Sequence, residues 1–246
     1  STVDVESALI ALNNGTLTLA GALLKDTNGT LEGEDEFLRM KSGSTLKSTG
    51  TGALVQLSGT TVDFDAALSM TDSTMTLSGP LASVTSVKGA DTVSGSSTPL
   101  FKLDASTLTS TGTGALLSFT STDATPDGNF FRLQNTSKVE LAGPLFSGTG
   151  GKLGSGTASN VRAFISVLDS STVKSTGTSA LISMTDVTFD AQGPLFNVRR
   201  SKSTSLPSKV TLDCSLFSGK NTTINTTSLG FGSTFGTSAK DCCSTF

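Results

Sequence analysis

Apolar side chains return along this chain in short alternating bursts, each opened by a bend and a small residue. The phrase reads Ser7-Ala8-Leu9-Ile10, Gly21-Ala22-Leu23-Leu24, Gly52-Ala53-Leu54-Val55, Gly79-Pro80-Leu81-Ala82 and Thr98-Pro99-Leu100-Phe101. It continues as Gly114-Ala115-Leu116-Leu117, Gly143-Pro144-Leu145-Phe146, Ser179-Ala180-Leu181-Ile182 and Gly193-Pro194-Leu195-Phe196, with looser copies at Phe37, Phe130, Phe164 and Leu216. The spacing averages about 16 residues, a period that belongs to solenoids, where each repeat buries its face only against its neighbours. A second strand-like segment lies between successive phrases, as in Thr16-Leu17-Thr18-Leu19, Thr74-Met75-Thr76-Leu77 and Lys138-Val139-Glu140-Leu141. Each unit therefore reads strand, bend, strand, bend.

Period-two alternation assigns an inside and an outside. In Leu54-Val55-Gln56-Leu57, Val55 and Leu57 point in, Gln56 points out, and Leu54 tips inward at the corner. Helix signals are nearly absent, because Gly, Pro and β-branched residues interrupt every candidate window. A longer period overlays the short one. Ser48-Thr49-Gly50-Thr51-Gly52-Ala53-Leu54 recurs at Ser110–Leu116 and, with one change, at Ser175–Leu181, four units apart each time. One unit per coil is the simpler reading and two per coil, about 31 residues, is the alternative. The expected fold is all-β: a single parallel β-solenoid over residues 1–231 with a Cys-containing tail or cap at 232–246. Larger steps at Val87–Ser97, Gly148–Val161 and Arg199–Ser208 predict loops leaving one edge of the solenoid.

Composition sharpens this picture. Hydrophobic residues make up 35% and charged residues 15%, and Ser and Thr fill the gap. A net charge of -3 with regular apolar spacing argues for order, since disordered chains carry high net charge and lack such spacing. The same charge argues against nucleic acid as a partner. No stretch approaches the ~20 apolar residues of a membrane helix. No signal peptide precedes Ser1, which predicts a processed chain or a fragment. His, Trp and Tyr are absent. That weighs against acid–base catalysis near neutral pH and against aromatic sugar clefts, so no enzyme activity and no cofactor are expected.

The run Gly52 to Phe64 resembles the rungs of right-handed parallel β-helices, such as pectin-lyase-like proteins, autotransporter passengers and haemagglutinin-type adhesins. The resemblance covers about residues 2–231 and concerns architecture. It implies an extracellular or cell-surface location and a role in adhesion, scaffolding or polysaccharide cleavage. The chain departs from the hydrolase branch of that group, having no Asp pair beside a His.

Candidate chemistry is sparse. Glu32, Glu34 and Glu36, with Asp35, form the densest acidic run. On one strand face they would offer hard oxygens to Ca²⁺, although a solvated face is the ordinary reading. Asp63 and Asp65 share a face at a spacing that suits paired carboxylates in glycoside chemistry, again against a plain outward face. Arg199, Arg200, Lys202 and Lys209 make a small basic patch beside an insertion, suited to an acidic glycan or a neighbouring subunit. The pairs Thr16/Thr18, Thr49/Thr51, Thr111/Thr113 and Thr176/Thr178 are similar to the Thr ladders of ice-binding solenoids, but the best pairs recur only every fourth unit. Five Asn-x-Ser/Thr sequons stand at Asn14, Asn28, Asn135, Asn221 and Asn225, four of them at expected bends. Cys214, Cys242 and Cys243 predict a disulfide from Cys214 to one of the other two. The open edges at a solenoid's ends predict end-to-end self-association, with glycan contact through the inserted loops as the alternative role.

Overall fold

The computed structural model describes residues 2–87, 98–124, 126, 128–155, 163–191, 193–199 and 207–226. Every described strand pair is parallel, and no helix occurs among these residues. The first turn runs through Thr2–Val5, Ile10–Asn13, Thr16–Leu19 and Leu24–Thr27, and the second returns through Thr30–Gly33, Glu36–Lys41, Thr45–Ser48 and Val55–Ser58. Repetition builds a β-solenoid of about six turns. Wall 1 is the seven-stranded sheet that starts at Ile10–Asn13, wall 2 the one from Thr16–Leu19 and wall 3 the one from Leu24–Thr27. Wall 4 is shared by two three-stranded sheets, one headed by Thr2–Val5 and the other starting at Lys152–Ser155.

The register settles the coil length. Ile10 aligns with Leu38, Leu38 with Leu68, and Leu68 with Phe101. One turn therefore consumes two of the short units, not one. The phrase recurs twice per turn because the chain enters wall 1 and wall 3 through similar corners. Leu9, Phe37, Phe130 and Phe164 belong to the first corner column, and Leu23, Leu54, Leu81, Leu116, Leu145 and Leu181 to the second. Backbone bonds tie the second column, as from Leu23 N–H to the Leu54 carbonyl at 2.7 Å and from Leu145 N–H to the Leu181 carbonyl at 2.9 Å. Leu54, Leu116 and Leu181 lie in one continuous core, each almost wholly buried.

The bends follow from the same geometry. Leaving wall 1, the chain takes positive φ at Asn14, Ser42, Asp72, Ala105, Asn135 and Asp169. Leaving wall 3, it does so at Asn28, Gly59, Ser86, Ser121, Gly150, Asp186 and Asn221. Asn, Asp and Gly tolerate this region best, which explains their recurrence there. A column of buried serines follows the wall 1 bends. The Ser106 hydroxyl accepts from the Ser73 N–H at 3.1 Å and donates to the Asp104 carbonyl at 2.8 Å. Ser137 repeats the pattern for the Ser106 N–H. These hydroxyls satisfy backbone groups that the tight bend leaves without a ladder partner.

The longer sequence period is two turns. Corners between walls 2 and 3 alternate in length: Leu19–Leu23, Leu77–Leu81 and Leu141–Leu145 are short, whereas Ser48–Leu54, Ser110–Leu116 and Ser175–Leu181 are longer by two residues. Leu and Ser consequently alternate in register, with Ser48 between Leu19 and Leu77 and Ser110 between Leu77 and Leu141. Long and short corners interlock. A Cβ on Gly79 would lie 2.5 Å from the Thr51 carbonyl oxygen and 2.6 Å from that of Gly52. Thr49, Thr111 and Thr176 donate both N–H and hydroxyl to the Leu carbonyl one turn away.

Phenylalanines fill the later turns. Phe130 and Phe164 stack at 4.4 Å between ring centres, and Phe164 meets Phe189 edge-on at 5.0 Å. The earlier turns hold a cavity of about 90 Å³ lined by apolar residues, Val62, Phe64, Val84, Val87 and Phe119 among them. It lies where the described strands of wall 4 break off after Thr61–Asp63, before wall 4 resumes at the Ala124–Leu153 bridge. The three insertions do not share one edge. Two attach on the side of wall 4, and the third joins walls 1 and 2 between Arg199 and Lys209. Residues 88–97, 156–162 and 200–206 lie outside the described ones. Part of the second insertion, Lys152–Ser155, is a strand and not a loop.

Candidate functional site

The structure unites two acidic groups that the sequence separates by about 30 positions. Asp4, Glu32 and Asp63 are direct register partners on adjacent strands of wall 4. One corner further, the Asp65 N–H donates to the Asp35 carbonyl at 3.0 Å, stacking those residues too. The expected strand faces are corrected here. Thr30–Gly33 ends before Glu34, and Glu36 opens the next strand in wall 1, so the three glutamates straddle a corner. Asp63 ends its strand and Asp65 lies in the bend beyond it.

Like charges in register repel. Burial, reinforced by Asp35, Glu36, Asp63 and Glu34, raises the Asp65 carboxyl above the usual Asp value. Arg39 relieves part of the crowding, reaching Asp35 at 3.2 Å and Glu36 at 3.4 Å. The aromatic ring between the two aspartates, Phe64, turns inward onto Phe37 and offers no sugar platform. Among the described residues no three Asp, Glu or Cys side chains converge to hold a metal ion.

The hydroxyl-bearing positions fall differently from the sequence reading. Thr49, Thr111 and Thr176 serve the corner interlock. The regular outer array is on wall 3, where Ser83/Thr85, Ser118/Thr120, Ser147/Thr149 and Ser183/Thr185 align on four successive turns, flanked by Gln56/Ser58. Wall 2 carries Thr16/Thr18, Thr74/Thr76 and Thr107/Thr109, interrupted by Lys47, Lys138, Glu140 and Lys174. The Ser-x-Thr pairs form no run along the chain and align only through the coil. Their spacing by one turn was the signal that could have found them.

Four sequon asparagines, Asn14, Asn28, Asn135 and Asn221, occupy exposed positive-φ bends as expected. The Asn135 amide donates to Asp104 at 2.7 Å and the Asn221 amide to Asp186 at 3.0 Å. Asn225 instead stands on the exposed side of the strand Thr223–Thr226. Arg199 ends a wall 1 strand, and Lys209 begins the wall 2 strand where Lys138 and Thr172 stack beneath it. Arg200 and Lys202 lie outside the described residues. Cys214 is buried at the corner before Phe217–Lys220, its sulfur against the Ser179 carbonyl. Its expected partners, Cys242 and Cys243, and the tail 232–246 are outside the described residues, so the disulfide is not observed.

The two ends differ from the middle. Met40, Leu68, Leu103 and Leu133 are fully covered from both sides. Ile10, Leu12, Leu17 and Leu19 of the first turn, and Val210, Leu212 and Ile224 of the last, are only partly buried, whereas Phe196 and Val198 of the last turn are buried. Val3 is the one exposed large hydrophobic residue among those described. No helix among the described residues is long and apolar enough to cross a membrane. No family model, no curated protein and no solved structure matches the chain.

Proposed function

We propose that this chain is a non-enzymatic structural solenoid of an extracellular or cell-surface material, assembled end to end into a filament or matrix. The observation that carries the reading is the partly buried apolar interior of the first turn and of walls 2, 3 and 4 in the last. Among the described residues, the strands of the first and last turns each have a neighbour on one side only, and such edges template further pairing. Every additional turn stacked there covers apolar surface at about 25 cal/mol per Å² and satisfies the edge N–H and C=O groups. A right-handed winding is the sense that parallel crossovers take. Analytical ultracentrifugation of the pure chain, with negative-stain electron microscopy, tests the assembly. Concentration-dependent rods longer than one subunit are expected, and a monomer that persists at high concentration sinks it.

The second reading is surface adhesion with glycan contact. What favours it is the uncharged hydroxyl array on wall 3, since regular donors and acceptors on a flat sheet suit a repeating polar surface. Pull-down on insoluble polysaccharides tests it: Thr120→Lys with Thr149→Lys would abolish retention if wall 3 is the contact. Unchanged retention would place the contact elsewhere.

A further inference from the structure

We propose that the first turn's open edge is covered by the last turn of a second copy, so that subunits stack head to tail with fixed polarity. This rests on the end-to-end reading above and adds its partner face and direction. Two observations on different levels carry it, and a third sets its strength.

The first is charge. Residues 2–65 hold nine acidic and four basic side chains, whereas the described residues of 130–226 hold five acidic and seven basic. The rod is therefore a dipole along its axis. Screening limits direct interaction to about 8–10 Å at ordinary salt, but a junction brings the terminal turns of opposite ends within that range. A head-to-head contact would instead bring together two first turns, each carrying Asp4, Glu6 and Asp26 against the one Lys25, a like-charge juxtaposition that costs affinity. Opposite ends attract, and like ends repel.

The second is continuity of the interior. Extending each wall across a head-to-tail junction sets Val198 against Leu12, Leu212 against Leu19, and Ile224 against Val3. Leu12, Leu19, Leu212 and Ile224 are inward positions that their own subunit leaves only partly buried and Val3 is exposed, whereas Val198 is already buried. The strands of both faces run in the same sense, so the parallel ladder continues without a reversal.

The third is the phase of the corners. Inside the rod each short corner nests against a long one. The first and last turns both carry short corners, Leu19–Leu23 and Leu212–Leu216. The junction therefore places Leu on Leu where internal steps place Leu on Ser. A Cβ on Gly21 would meet nothing within 4 Å, whereas one on Gly79 would strike the neighbouring corner. The junction lacks the interlock and is weaker than any internal step, which makes the assembly reversible and dependent on charge.

Two full-length variants test this by sedimentation velocity: Val3→Lys, blocking the first turn, and Ile224→Lys, blocking the last. The wild type is expected to form a concentration-dependent ladder of oligomers. Each variant alone should be monomeric, and an equimolar mixture should stop at dimers, joined through the one intact pair of ends. Dimer affinity should fall at least about tenfold between about 0.05 and about 0.5 M salt. A variant that dimerises alone shows a symmetric contact and overturns the polarity. Continued ladders in both variants show a lateral contact and overturn it too. Oligomers indifferent to salt remove the electrostatic argument. A monomeric wild type defeats the underlying end-to-end reading as well, so the two failures are distinct. Circular dichroism confirms that the variants fold. If either does not, Asp4→Pro and Thr226→Pro replace them, removing one edge N–H each without placing a charge in the interior.

Discussion

Adding one methyl group at Gly79 tests the two-unit coil directly. A Cβ there would sit 2.5 Å from the Thr51 carbonyl oxygen and 2.6 Å from the Gly52 carbonyl oxygen, one turn earlier. Both obstacles are backbone, so neither can swing aside as a flexible side chain would. Overpacking of this kind costs about 1–3 kcal/mol. Alanine also stiffens the unfolded chain, which returns about 0.4–1 kcal/mol. Gly79→Ala is therefore expected to destabilise by about 1–2 kcal/mol. Gly114 supplies the control. It stands in a long corner of the same column, and a Cβ there would meet only Pro80 Cγ at 4.0 Å. Neither glycine has positive φ, so Gly114→Ala keeps the gain without the clash and should stabilise by about 0.4–1 kcal/mol. The two variants should differ by about 2 kcal/mol. With a urea dependence near 2 kcal/mol per M, their unfolding midpoints should lie about 1 M apart on either side of the wild type. Coincident midpoints would refute the interlock. They would also count against the coil length, since a one-unit coil would not bring residue 79 beside residues 51 and 52.

Other substitutions probe the interior and the acidic corner. Val84→Ile directs one more methylene toward the 90 Å³ cavity and should raise stability by about 0.8 kcal/mol, read as a higher urea midpoint. Ser106→Ala removes a buried hydroxyl that both accepts and donates and should cost about 1–3 kcal/mol. Ser171→Ala, in the same column, removes a buried hydroxyl oxygen with no hydrogen-bond partner and should be neutral or mildly stabilising. Phe130→Ala should cost about 3–5 kcal/mol, since its ring is buried against Phe146 at 5.4 Å and Phe164 at 4.4 Å. For Asp65 the raised carboxyl means that the folded chain holds its proton to higher pH than the unfolded chain does. Its ionisation therefore penalises folding progressively as pH rises from the ordinary Asp range through the raised one. Asp65→Asn should raise the melting temperature at pH 7 and leave it nearly unchanged near pH 2, where the native Asp is protonated in both states.

How far the sequence reached depended on whether a feature repeats within a turn or across turns. Alternation within a strand is local, so Val55, Leu57 and the corner Leu54 were assigned to the interior correctly. The left-handed bends were legible at Asn14, Asn28, Asn135 and Asn221 because Asn tolerates positive φ. At Ser86, Ala105 and Ser121 other residues occupy equivalent bends, held there by stacking on both sides, and no local signal marks them. The coil length was not legible because the corners entering walls 1 and 3 use the same Leu-bearing phrase. Two pseudo-equivalent corners look like one repeat until a register joins Leu38 to Leu68. Once that step is known, the four-unit block at Ser48, Ser110 and Ser175 has a cause, namely the alternation of long and short corners. The acidic corner was missed for the same reason. Asp35 and Asp65 are adjacent only through the coil.

This also explains why chemistry is hard to read from such a chain. Stacking fixes what points inward on every turn, and the interior consumes nearly all the patterned information. Outward positions are free to vary one turn at a time, so any surface they make is a column, assembled from residues about 31 apart in sequence. Asp4–Glu32–Asp63 and the wall 3 hydroxyls are such columns, and neither resembles a motif when read along the chain. The same logic applies at the ends. A charge balance that looks unremarkable at -3 overall becomes a gradient when laid along the axis, because sequence position and axial position are nearly the same coordinate in a solenoid. An axial gradient repels like ends and draws opposite ends together, which is what a subunit needs if its edges are to find one another in one direction only.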